Sequence, residues 1–182
     1  RQPVNETSKA TILGDGGWGT TIGRLLALKR IPVTIWGHDP AYLEEMRLKR
    51  VNRLFLQGVT LPPEIAFEPL LARALADAAW IFVAIPTKFL RISLTGNRRV
   101  PPQARVVSLV KGIEPETLKR PSEIVGELLG VANVAVVSGP SHAEEVAAGL
   151  PATVVAAATD DGMLAREVQQ IVDLLKHFRR RC

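Results

Sequence analysis

Short apolar runs alternate with stretches of helical spacing from residue 10 to about residue 178. Six runs are compact and rich in Val, Ile, Ala and Leu: Ala10–Leu13, Pro32–Trp36, Trp80–Ile85, Arg105–Leu109, Val134–Val137 and Ala152–Ala157. Runs of this kind predict strands buried on both faces. Between and after them the spacing predicts helices over Gly17–Lys29, Pro40–Arg50, Pro69–Leu75, Lys88–Leu94, Pro121–Leu129, Ser141–Ala148 and Asp161–Lys176. The alternation is that of an α/β protein with a doubly wound, mostly parallel, Rossmann-like sheet. Right-handed crossovers in such a sheet gather ligands outside the carboxyl ends of the strands. Two segments break the rhythm. Asn52–Glu64, with Gly58, Pro62 and Pro63, reads as a long excursion over the surface, and Gly96–Gln103 as a loop rich in Arg and Pro. No internal repeat, low-complexity tract or flexible linker is visible.

The first strand runs straight into Gly14-x-Gly16-x-x-Gly19, and the first helix follows at once. Each glycine has a mechanical reading in a dinucleotide cradle. The first permits the tight turn, the second lets backbone approach a pyrophosphate, and the third allows close helix–strand packing. The helix N-terminus then presents free N–H groups and a positive dipole end to the phosphates. Glycines also collect in plain turns, so it is the flanking strand and helix that give the motif its weight. On this reading residues 1–9 are a polar extension, 10–178 a dinucleotide-binding domain and 179–182 a basic tail.

Composition narrows the remaining classes. Apolar residues make up 47%, enough for a sizeable core, and no segment has the length of a membrane span. Residues 1–9 carry no apolar signal-peptide core. The single cysteine is Cys182, so neither a disulfide framework nor a cysteine metal site is expected, and a cytoplasmic setting follows. The formal net charge is +5, but the basic residues are scattered among acids and Arg179-Arg180-Arg181 lie together at the end. Without interleaved aromatics this charge favours an anionic ligand in a cleft over nucleic acid.

The polar segments after each strand supply the candidate chemistry. Gly37-His38-Asp39-Pro40 follows the second strand, and Asp39 lies 20 residues beyond Gly19, where a ribose-binding carboxylate is often found. Asp39 before Pro40 also reads as a helix N-cap. Capping is the favoured role for Asp39, with His38 on the ribose side. Pro86-Thr87-Lys88 follows the third listed strand and suits the nicotinamide half of a cleft. Lys111, after the fourth strand, either offers an ammonium to an anionic substrate or is simply solvated. Ser138-Gly139-Pro140-Ser141-His142-Ala143-Glu144 follows the fifth. Ser141 and Glu144 there form a capping-box pattern whose helix N-terminus is also an anion site. The histidines show no metal-ligand spacing, and no metal site is expected.

Together these segments resemble the bacterial NAD(P)-dependent glycerol-3-phosphate dehydrogenases. The resemblance rests on Gly14-x-Gly16-Gly17-Trp18-Gly19-Thr20, Trp36-Gly37-His38-Asp39-Pro40, Asn52 with Phe55-Leu56, Val83-Ala84-Ile85-Pro86, Lys111-Gly112-Ile113-Glu114 and Ser138-Gly139-Pro140-Ser141-x-Ala143-x-Glu145. These occur in the family's order and approximate spacing. The resemblance implies NAD or NADP as cofactor. The implied reaction is hydride transfer within the dihydroxyacetone phosphate/glycerol 3-phosphate pair, feeding phospholipid synthesis. It implies cofactor contacts for Gly17, Trp18, His38 and Ala143 beside the motif glycines Gly14, Gly16 and Gly19 and the strand-end Pro86. Lys111 would touch cofactor and substrate and is the catalytic candidate, and Gly139 and Ser141 would touch the substrate.

Four departures qualify the resemblance. Asp15 stands where the family usually has alanine, and would repel a pyrophosphate unless its side chain turns away. Gly17 replaces a serine, and Thr87-Lys88 stands where Ser-His is usual. The family also continues past Phe178-Arg179 into a helical domain with the principal catalytic lysine. This chain is therefore expected to be the cofactor domain without that partner, completed by the helical domain or by a homo-oligomer. The alternative expectation is an inactive Rossmann module that works through partner association or cofactor binding alone.

Overall fold

The computed structural model describes residues 8–96, 100–139, 142–150, 152–159 and 163–176, the last five by backbone alone. Nine strands and seven helices follow one another among these residues. The strands are β1 (Ala10–Leu13), β2 (Val33–Trp36), β3 (Val51–Asn52), β4 (Leu56–Thr60), β5 (Ala66–Glu68), β6 (Trp80–Val83), β7 (Arg105–Ser108), β8 (Val134–Ser138) and β9 (Val155–Ala157). The helices are α1 (Gly17–Leu28), α2 (Pro40–Lys49), α3 (Leu71–Leu75), α4 (Thr87–Leu94), α5 (Pro121–Leu129), α6 (Ala143–Ala147) and α7 (Met163–Lys176).

Seven strands form one sheet in the order β5-β2-β1-β6-β7-β8-β9. All neighbouring pairs are parallel except β8 with β9. The chain winds one way from β1 to β2 and the other way from β1 to β6, so the switch point lies at the end of β1, where a ligand crevice opens. Successive strand residues enter opposite cores, as the pleat requires. Ile12, Ile22, Leu26, Ile35 and Val168 pack on one face, and Leu13, Ile81, Val83, Leu90 and Ile124 on the other. The central strands β1, β2 and β6 are buried at every position, which is why they read as unbroken apolar runs.

The segment expected as a surface excursion differs. Residues 51–60 form a small antiparallel hairpin of β3 and β4, and β5 then adds a strand beside β2. Asn52, Leu56, Leu61 and Ile65 are all buried. Short strands broken by Gly58 and a Pro pair lack the alternation that announces a hairpin.

Candidate functional site

The three motif glycines do three different jobs. Gly14 ends β1 with a φ of +118°, a left-handed conformation that glycine adopts freely. An added Cβ there would stand 2.9 Å from the Ala84 carbonyl carbon at the end of β6. At Gly19 a Cβ would collide with the Gly14 carbonyl and press on Ala84, so α1 lies close on the sheet only because this residue is glycine. Gly16 has no atom within 4 Å of where its Cβ would stand. Its small size therefore serves no internal packing, and leaves backbone open to a visitor. Gly16 caps α1 without a side-chain bond, and the first-turn amides of a helix have no intrahelical acceptor. This is the arrangement that receives a phosphate.

A buried asparagine fixes the loop. Asn52 Nδ2 donates to the Asp15 carbonyl at 2.8 Å and to Thr20 Oγ1 at 2.7 Å. Its Oδ1 accepts from Tyr42 Oη at 2.7 Å and from the Phe55 amide at 3.0 Å. Tyr42 in turn accepts from the Leu54 amide and meets Phe55 edge-on. The hairpin is thus bolted to the glycine loop. The Phe55 carbonyl occupies the place of any Gly17 Cβ, so a serine there would displace the hairpin.

Between the loop and the ends of β2 and β6 lies a cleft of about 930 Å³, within the range of small-molecule sites. Gly14, Gly16, Gly17, Trp18, His38 and Pro86 line it, together with Asp15, Tyr42 and Lys88. Gly19 sits behind this wall, buried. Asp39 Oδ1 accepts from the Ala41 and Tyr42 amides at 2.9 and 3.2 Å, with Pro40 following, so it caps α2. His38 is exposed on the cleft wall. The Asp15 carboxylate lies against Gly37, and burial raises its pKa, opposed by its own amide and by His38.

A second cluster forms at the ends of β7 and β8. Lys111 Nζ donates to the Gly139 carbonyl at 3.0 Å, and Thr87 Oγ1 donates to the Lys111 carbonyl at 2.8 Å. These residues do not line the cleft itself. Ala143, at the start of α6, packs on the glycine loop and α1: its carbonyl accepts from Thr21 Oγ1 at 3.2 Å and its Cβ faces Gly17. Helix α6 starts at Ala143 with His142 at its N-cap and no side-chain cap bond. Ser141 lies outside the described residues.

Arg91 and Glu114 add a contact that no sequence motif announced. Glu114 is 6% exposed and receives Arg91 through both oxygens, at 3.0 and 2.8 Å, with Thr117 as a third donor. These bonds hold its pKa down at about 2. They fasten the Lys111–Glu114 turn to α4. Among the described residues no cluster of three His, Cys, Asp or Glu side chains could hold a metal ion, and no helix is long and apolar enough to cross a membrane.

Residues 9–164 match the model of a protein family described as NAD-dependent glycerol-3-phosphate dehydrogenase N-terminus. The chain belongs to that family. A glycerol-3-phosphate dehydrogenase [NAD(P)+] of Chlorobium phaeobacteroides is 43% identical over 155 residues, which is 83% of this chain and 46% of the relative. One from Geobacter sp. (strain M21) is 40% identical over 166 residues, 89% of this chain and 49% of the relative. The chain thus spans about half the length of the curated relatives it matches. The crystal structure of a glycerol-3-phosphate dehydrogenase from Coxiella burnetii superposes with a TM-score of 0.82 at 27% identity, over 94% of this chain and 51% of that one. A 1-pyrroline-5-carboxylate reductase from Streptococcus pyogenes, at 11% identity and a TM-score of 0.65, shares the fold alone. The family match takes in the glycine loop, Lys111, Gly139 and Ala143.

Proposed function

We propose that this chain is the dinucleotide-binding half of an NAD(P)-dependent glycerol-3-phosphate dehydrogenase. It would interconvert dihydroxyacetone phosphate and sn-glycerol 3-phosphate for glycerophospholipid synthesis in the cytoplasm. The observation that carries this reading is the division of labour in the glycine loop. Gly14 and Gly19 are spent on packing while Gly16 faces open space at a helix start without a side-chain cap. A structural turn alone would not need that gap.

The bound nicotinamide would supply or accept the hydride. The α1 N-terminus and Gly16 backbone would hold the pyrophosphate, and His38 would stand by the adenosine ribose. Trp18 and Pro86 would line the path toward the nicotinamide. Lys111, steadied by Gly139 and Thr87, would present its ammonium to the substrate phosphate or to the oxygen on which alkoxide charge develops. Gly139 and Ser141 would complete the substrate side.

A second reading is a module that has lost cofactor binding and acts through partner association. Ile92, Ile113 and Leu118 are 79%, 58% and 77% exposed around the Lys111 turn and α4. Exposed apolar groups of this kind suit a protein partner, either the helical half that the family resemblance implies or a second copy of this chain. Calorimetric titration with NADH and NADPH separates the readings. Saturable binding of either supports the dehydrogenase half, and no binding of either supports the association module.

A further inference from the structure

We propose that the Asp15 carboxylate accepts the adenosine ribose 2′-hydroxyl of the bound dinucleotide and makes the chain select NAD over its 2′-phosphorylated form. The inference rests on the dinucleotide-binding reading above.

Three carboxylates line the cleft near the end of β2: Asp15, Asp39 and Glu45. Two are engaged. Asp39 caps α2 through two backbone amides, and Glu45 Oε1 receives both Lys49 and Arg53 at 3.1 Å. Asp15 has no ion-pair partner among the described residues, and the one donor bearing on its carboxylate is its own amide. In doubly wound folds a carboxylate from the end of β2 usually takes the ribose hydroxyl. Here β2 ends at Trp36, and the next residue, Gly37, has no side chain to offer. The Asp15 carboxylate fills that vacated space, so closely that any Cβ on Gly37 would strike it.

The acceptor is thus delivered from the glycine loop instead of from β2, and it lands where the ribose acceptor belongs. This also resolves the conflict that Asp15 poses in the sequence, because its charge is turned toward Gly37 and His38. The Asn52 bond to the Asp15 carbonyl at 2.8 Å fixes the backbone from which that side chain departs. A half-buried carboxylate with few donors gains from a hydroxyl that donates to it. A 2′-phosphate at the same point would bring a second anion against it.

The test is calorimetric titration of NADH and NADPH into the chain and its Asp15→Ala and Asp15→Asn variants, with folding checked by circular dichroism. The wild-type chain is expected to bind NADH at least about tenfold more tightly than NADPH. Asp15→Ala removes both the acceptor and the charge, so NADH should weaken while NADPH gains, cutting that ratio at least about tenfold. Asp15→Asn keeps the packing over Gly37 and removes the charge, so NADPH should gain about tenfold while NADH changes less than about threefold. An unchanged ratio in both variants overturns the proposal. So does an equal gain for both cofactors in Asp15→Asn, which would place the carboxylate against the shared pyrophosphate. Failure of the wild-type chain to bind either cofactor would instead overturn the dinucleotide reading, and this inference with it.

Discussion

Lys111 Nζ donates to the Gly139 carbonyl across 3.0 Å, joining the turn after β7 to the end of β8. The bond aims the ammonium along the strand ends instead of leaving it to wander in solvent. If Lys111 serves the substrate, then Lys111→Met should weaken binding of dihydroxyacetone phosphate to the NADH-loaded chain at least about tenfold, because a charge-assisted contact to phosphate is lost. NADH binding should change less. Titration of each ligand separates the two effects, and a loss confined to NADH would assign Lys111 to the cofactor alone.

Gly16 and Gly19 offer a paired experiment. Gly19→Ala places a Cβ against the Gly14 carbonyl, which is backbone and has nowhere to go. It should destabilise the fold by about 1–3 kcal/mol, measured by urea unfolding. Gly16→Ala meets nothing, and its φ of −67° is open to any residue. Its stability should stay within about 0.5 kcal/mol of wild type while dinucleotide affinity falls at least about tenfold.

Asn52 is fully buried, and all its polar atoms are engaged. Asn52→Ala should destabilise by about 2–4 kcal/mol, since it strands the Tyr42 hydroxyl and the Phe55 amide at once. Tyr42→Phe leaves Asn52 Oδ1 with the Phe55 amide and should cost about 1 kcal/mol. The order of the two values, from denaturant unfolding, checks the network.

Glu114 gives the protein an acid limb of known sign. Its pKa is lowered from 4.5 to about 2, so the ion pair stabilises the fold fully above 4.5. That contribution is lost as pH falls toward about 2. Arg91→Met should lower the melting temperature at pH 7 by on the order of 5 °C. The difference from wild type should shrink near pH 2.5. A gap that stays constant with pH would show that Arg91 acts through packing alone.

Much of this architecture was legible along the chain. β1, β2 and β6 announced themselves because burial on both faces removes every polar position. Asp39 read as a cap because Pro40 follows it directly. The hairpin over residues 51–60 was not legible: its strands are short, and Asn52 is a buried polar residue whose partners come from two other segments, the glycine loop with α1 and helix α2. The Arg91–Glu114 pair is separated by 23 residues and has no spacing signature. Asp15 is the instructive case. Its neighbours in sequence suggested repulsion of a pyrophosphate, and only the parallel register of β1 and β2 brings it over Gly37.

We propose that the open backbone at Gly16 cradles a dinucleotide. The most direct test is calorimetric titration of NADH into the wild-type chain beside Gly16→Ala. Saturable one-to-one binding by wild type, weakened at least about tenfold in the equally stable variant, is the expected result. A folded wild-type chain that releases no heat with NADH, or a Gly16→Ala variant that binds as well as wild type, would contradict it.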